Sequence, residues 1–418
     1  MMSMGTLPSM TNFQGHGPGR WSCEPVSLQS QPVHDSVTRD GIIHSRSFRG
    51  NAGSAEHFIS IKAPAFLNFA DQVAFVYERY RQTQTHLGLA PETAVFRRIF
   101  LSDVLNQAVF VRESELVDDY TAVSVVQQPP LPASKIEMLA YHIESPDPVA
   151  KHRLSPRHLL IRKNNQRHLW STRLCTCDDE TTISSETQTR RIFNELIAAL
   201  ARQGATLRDH CVRTWIYIKG IDVFYRGMAD GRRELFAAEG LTPSTHYIAS
   251  TGIEGACSHR HDLVAMDAYS HLDLVPGQVS YLNDFDWLCA TQDYNVTFER
   301  GTRVAYADRA HCFISGTASI DKAGEIVHPG DVLLQLERAL GNMEALLRSG
   351  SAALGDLMYL IAYLRDPADF ARVDAHLRNR FPGLPIILVQ GAVCRPAWLV
   401  EIEGVAIAGN NEPALPPF

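Results

Sequence analysis

The sequence predicts an α/β (α+β) protein in which one structural module is written three times along a single chain. Two observations predict it. A helical stretch, a glycine and then an apolar strand recur at three places, and each recurrence ends in a further strand. The last of these closing strands, Leu399-Val400-Glu401-Ile402-Glu403, sets two carboxylates on one face because side chains alternate along a strand.

The elements follow in chain order. The first copy reads as a helix over 69–87, Gly88, and the strand Val95-Phe96-Arg97-Arg98-Ile99-Phe100-Leu101. The second has a helix over 191–200, Gly204, and the strand Val212-Arg213-Thr214-Trp215-Ile216-Tyr217-Ile218. The third has a helix over 332–347, Gly350, and a strand over 357–365. Apolar residues recur at three and four in each helix, and each glycine stands where a helix C-cap takes a positive φ. The closing strands are expected over 135–143, 263–269 and 398–407. Copies two and three add a second helix near 224–236 and 369–381, which copy one lacks. The expected divisions are a flexible leader over 1–55, a degenerate first module over 56–150, a second over 151–275 and a third over 276–418. Repeats of this length signal duplication of a domain-sized unit.

Composition bounds the function classes. At 418 residues and 45% hydrophobic, the chain has material for several cores. A net charge of −7 disfavours nucleic-acid partners. Neither a membrane-length apolar run nor a secretory leader is written in the sequence, so the expected compartment is the cytoplasm, with no membrane partner. The eight cysteines are scattered. Cys175-Thr176-Cys177 lacks zinc spacing, and His259-Arg260-His261 reads as a loop, so neither a metal nor a cofactor is expected. There is no phosphate-cradling Gly-rich loop and no nucleophile elbow.

Two resemblances add to this. The third copy, from Phe313-Ile314-Ser315-Gly316 through the Val-Glu-Ile-Glu strand, resembles the RidA (YjgF) fold, a module that forms trimers. A longer set of motifs is similar to the chorismatase family: Arg213-Thr214-Trp215 with Tyr217, Tyr225 with Gly231-Arg232, Thr251-Gly252-Ile253, Val327-His328, and Leu399 to Gly404. That resemblance implies a cofactor-independent enzyme that releases pyruvate from chorismate. Chorismate is a small dicarboxylate bearing an enol ether. Arginine forks suit its carboxylates, and an acid is needed to protonate the enol carbon. The expected substrate-binding residues are Arg213, Tyr217, Tyr225, Arg232, Thr251, Gly252, Gly255 and Arg395. By position Glu401 matches the family's acid, with Glu403 as its tuning neighbour, since two close carboxylates raise one pKa. Cys394 and Gly255 resemble the 3-hydroxybenzoate synthase branch, where hydrolases carry alanine.

There are departures. The stretch Arg300-Gly301-Thr302-Arg303-Val304-Ala305-Tyr306-Ala307-Asp308 does not follow the family's pattern, and an expected arginine is absent or shifted to Arg303 or Arg309. Ile361 stands where lysine is common. The alternatives are a chorismate hydrolase, a Rid-type imine or enamine hydrolase, and a non-catalytic Rid-like binding protein. The oligomeric state, monomer or homo-oligomer, is open. The site is expected between copies two and three.

Overall fold

The computed structural model describes residues 42–51, 53–177, 181, 183–289, 291 and 296–418. The first module runs β1 (Ile42–Arg49), β2 (Ala55–Lys62), α1 (Phe69–Leu87), β3 (Ala94–Leu101), α2 (Val104–Arg112), β4 (Ala122–Gln127) and β5 (Ile136–Glu144). The second runs β6 (Ala150–Ser155), β7 (His158–Lys163), β8 (Gln166–Leu174), α3 (Ser185–Ala201), α4 (Leu207–His210), β9 (Cys211–Ile218), α5 (Ile221–Ala238), β10 (Ala249–Glu254) and β11 (Val264–His271). The third runs β12 (Val279–Tyr281), β13 (Gly301–Ala305), β14 (Arg309–Ala318), α6 (Val332–Ser349), β15 (Leu357–Leu364), α7 (Phe370–Arg380), β16 (Ile386–Gln390) and β17 (Val400–Gly409).

The repeat is exact in topology. The sheet orders are β1-β2-β5-β3-β4, β7-β8-β11-β9-β10 and β13-β14-β17-β15-β16, with β6 and β12 added as outer edges. In each sheet the closing strand inserts beside the strand after the first long helix, antiparallel to it, and a parallel crossover adds the edge. All three closing pairs also share a register shift near the start of the earlier strand: at Ala94/Phe96, Cys211/Arg213 and Leu357/Tyr359.

The inner strands, such as β3, β9, β15 and β17, are buried on both faces, so they read as near-continuous apolar runs. Their inner faces meet in one shared core, with Phe58 and Phe96 from the first sheet, Trp170 and Trp215 from the second, and Phe313 and Tyr359 from the third. The helices of modules one and two cover the outer faces through separate cores.

Three local expectations are corrected. Residues 42–49, assigned to the leader, form β1, because Ile43 and its neighbours pair along β2 from Lys62 to Ala55; the leader before residue 42 lies outside the described residues. Copy one does have a second helix, α2, capped by Asp103 accepting from the Asn106 N–H. Its nine residues are fewer than those of α5 and α7, the second helices of the other copies, and three exposed apolar residues, Leu105, Val109 and Phe110, blur its periodicity. Gly88 and Gly204 take positive φ, but Gly350 has φ −96° and the left-handed step falls on Ser351. Gly350 is small for packing: a Cβ there would sit 2.8 Å from Leu282 Cδ2.

The matching registers align the closing strands residue by residue. Glu401 faces Tyr363 one pair in from the end of β15, as Glu137 faces Phe100 and Ala265 faces Tyr217. Glu403 corresponds in the same way to Leu139 and Asp267. The carboxylate pair therefore exists complete only in copy three, while copies one and two each retain one member.

Candidate active site

A cavity of about 420 Å³ lies between modules two and three. Its volume is in the range of small-molecule sites. Module two contributes Tyr225 and Arg232 from α5 and Ser250 and Gly252 from β10; module three contributes Arg300, Gly316, Cys394, Arg395, Trp398 and Glu401. The end of β17 thus meets the α5 face of the neighbouring module.

Glu401 is 6% exposed, and among the described residues it has no hydrogen-bond partner. Burial, and then the adjacent Glu403 charge, raise its pKa to about 8, against the opposing pull of Arg213 and Arg300. At neutral pH it carries its proton. Space for this carboxyl exists because residue 316 is glycine: a Cβ there would lie 2.2 Å from Glu401 Oε1.

Glu403 points to the same side of the strand but is wholly committed. Its Oε2 accepts from Arg213 Nη2 at 2.7 Å and from the Thr251 hydroxyl, and its Oε1 accepts from Trp215 Nε1 at 2.9 Å. Arg98 of module one approaches Oε1 at 3.5 Å and lies over the Trp215 ring at 4.4 Å. Glu403 of the third module is therefore held by residues of the first and second modules.

This network relocates several expected ligands. Arg213, Thr251 and Tyr217 do not line the cavity. Arg213 and Thr251 are spent on Glu403, and the Tyr217 hydroxyl donates to Asp267 at 2.9 Å. Gly255 also lies elsewhere, where a Cβ would crowd Tyr217 Cβ at 3.1 Å and Val126 Cγ2 at 3.3 Å. Arg303 faces Glu412 at 3.9 Å, and Arg309 is buried against Glu56 at 2.8 Å, so neither is the shifted arginine. Arg300, from the same stretch, lines the cavity; it is 4% exposed and one Nη reaches the Cys289 carbonyl at 3.2 Å. The sequence signal for it was the first residue of the stretch already singled out.

Of the expected residues, Tyr225, Arg232, Gly252, Cys394, Arg395 and Glu401 are brought together. Arg232 is 2% exposed and its Nε donates to Thr297 Oγ1 at 3.0 Å. Arg395 lies over the Trp398 ring at 5.0 Å. Burial, and then Glu401, push the Cys394 thiol up to about 12, while a hydrogen bond with Tyr225 opposes this. It is a neutral thiol at physiological pH and not a nucleophile. The arrangement can hold an anion between two buried guanidiniums and present it with a proton.

Comparison with known proteins gives three findings. Residues 302–408 match the Endoribonuclease L-PSP family. A 3-hydroxybenzoate synthase of Streptomyces hygroscopicus is 34% identical over 116 residues, which span 25% of this chain and 34% of that protein. A crystal structure of a chorismatase superposes with a TM-score of 0.58 at 19% identity, covering 89% of this chain and 100% of the other. Its fold is the fold described above.

Proposed function

We propose that this chain, whose fold is that of a chorismatase and whose third module is RidA-like, is a chorismatase-type enzyme that converts chorismate to 3-hydroxybenzoate and pyruvate. The observation that carries this reading is Glu401, a carboxylic acid that keeps its proton to about pH 8 at the wall of a cavity holding Arg232 and Arg300. The two guanidiniums bind the substrate carboxylates. Glu401 gives its proton to the enol methylene carbon, which becomes the methyl group of pyruvate. The ring hydroxyl attacks the neighbouring ring carbon, the C–O bond to the side chain breaks, and pyruvate leaves. The hydroxyl proton returns to the Glu401 carboxylate. The resulting arene-oxide-like ring opens and aromatises by losing a ring proton. No water is consumed. Cys394, a neutral thiol between Tyr225 and Glu401, occupies volume that a hydrolytic water would need.

Chorismate incubated with the purified chain tests this, with products separated and the ring product weighed after reaction in ¹⁸O-water. The expected result is pyruvate with unlabelled 3-hydroxybenzoate. A dihydroxycyclohexadiene carboxylate in place of 3-hydroxybenzoate would move the chain to the hydrolase branch, and the absence of pyruvate would sink the reading.

A further inference from the structure

Far along the sequence from Glu401, three cysteines, a histidine and an aspartate converge. Cys175, Cys177 and His259 bring their ligand atoms within 4.8 Å of one another, and so do Cys175, Cys257 and Asp262. Cys175 belongs to both groups. The first two cysteines lie just past the end of β8; the others lie on the loop between β10 and β11. The Cys175 and Cys177 sulfurs are 3.1 Å apart, well beyond a disulfide bond.

We propose that Cys175, Cys177, Cys257 and His259 form a binding site for a soft divalent cation of the zinc type. Cys175, Cys177 and His259 already lie within ligand reach of one another, and Cys257, within 4.8 Å of Cys175, completes the three thiolates and one imidazole that zinc takes tetrahedrally. Asp262 is already engaged: its carboxylate accepts from the Thr176 hydroxyl, from the Cys177 N–H at 3.1 Å and from the Cys257 thiol at 3.5 Å. Through Thr176 and the Cys177 N–H it holds the backbone that presents the thiols, and the contact made by the protonated Cys257 thiol is given up when Cys257 binds metal as a thiolate. The Arg157 guanidinium donates toward both Cys175 and Cys177 sulfurs and counters the charge of a thiolate set. Cys175, Cys257 and Asp262 are buried, whereas Cys177 and His259 are half-exposed, so an ion has a path in. The ion staples two irregular segments together. One of them leaves β10, the strand that supplies Ser250 and Gly252 to the cavity.

The full chain, reduced and stripped with a chelator, is titrated with Co²⁺. The expected result is the visible spectrum of a tetrahedral cobalt–thiolate centre, saturating at one ion per chain and bleached by Zn²⁺. Cys175→Ser and Cys257→Ser abolish it, and Asp262→Asn weakens binding by about 10–100-fold. If the buried cysteine variants fail to fold, as judged by circular dichroism, Cys177→Ser at the half-exposed position gives the same loss. The proposal is overturned if the reduced parent chain gives no such spectrum, or if the spectrum survives unchanged in the folded cysteine variants. A Cys175–Cys177 disulfide in metal-free protein isolated under mild conditions would also overturn it.

Discussion

Glu401 is an acid because of what surrounds it, and each neighbour can be changed one at a time. Glu401→Gln should lower the rate of pyruvate release by at least about 100-fold, the usual worth of a positioned general acid, with an unchanged circular dichroism spectrum. In the parent chain, kcat should fall as pH rises through about 8, where the proton is lost. Stability carries the same signature. A folded pKa raised above its unfolded value contributes stability that is fully present below about pH 4.5 and lost as pH rises toward 8. The Tm of Glu401→Gln relative to the parent should therefore climb between those pH values and level off above them. Gly316→Ala should cut kcat by about 10–100-fold by displacing the carboxyl, with a small change in Tm. The Val-Glu-Ile-Glu strand made Glu401 legible in the sequence. Arg213 was misread because period two shows which residues share a face, and a strand buried on both sides has no face that period two can assign to a cavity.

At the scale of elements, β9, β10 and β17 are joined by Arg213 and Trp215 of β9 and Thr251 of β10 closing on Glu403. Arg213→Met leaves a buried carboxylate without its main partner, which costs about 3–5 kcal/mol. The expected outcome is a large drop in Tm, with much of it restored in Arg213→Met/Glu403→Gln. If Arg213 instead served chiefly as a substrate ligand, Tm would hold and only KM would rise. The helices α1, α3 and α6 and the strands β3, β9 and β15 were readable because long amphipathic periods and apolar runs are strong local signals. β1 and α2 were not. β1 alternates only weakly and owes its state to pairing with β2, while α2 is nine residues long and leaves apolar side chains in solvent.

Across the whole molecule, the first and third sheets are locked together at Glu56. Glu56 of β2 receives Arg309 Nη1 at 2.8 Å and His311 Nε2 at 2.9 Å from β14, with the Tyr141 hydroxyl at 2.6 Å from β5. Burial alone would raise its pKa; His311, Arg309 and Tyr141 outweigh that and bring it down to about 2. A depressed carboxyl gives stability that is present above its unfolded value and lost as pH falls toward 2, here on the order of 3 kcal/mol. Glu56→Gln should be less stable than the parent at pH 7, and the gap should close on acidification, as read by denaturant melts. The threefold architecture was legible in the sequence, but the clustering of Cys175 and Cys177 with Cys257 and His259 was not, since ligands about eighty residues apart carry no spacing motif. The register of Glu137 with Glu401 has one last consequence. Glu137 lies buried opposite Lys62 of β2, whose ammonium donates to the Leu131 carbonyl at 2.7 Å, and it is not among the residues that line the cavity holding Glu401. A ring of three identical chains would offer three equal clefts to a substrate. Here the same backbone is dealt out once, and a dicarboxylate should titrate the protein at one molecule per chain, with a simple hyperbolic isotherm and no communication between sites.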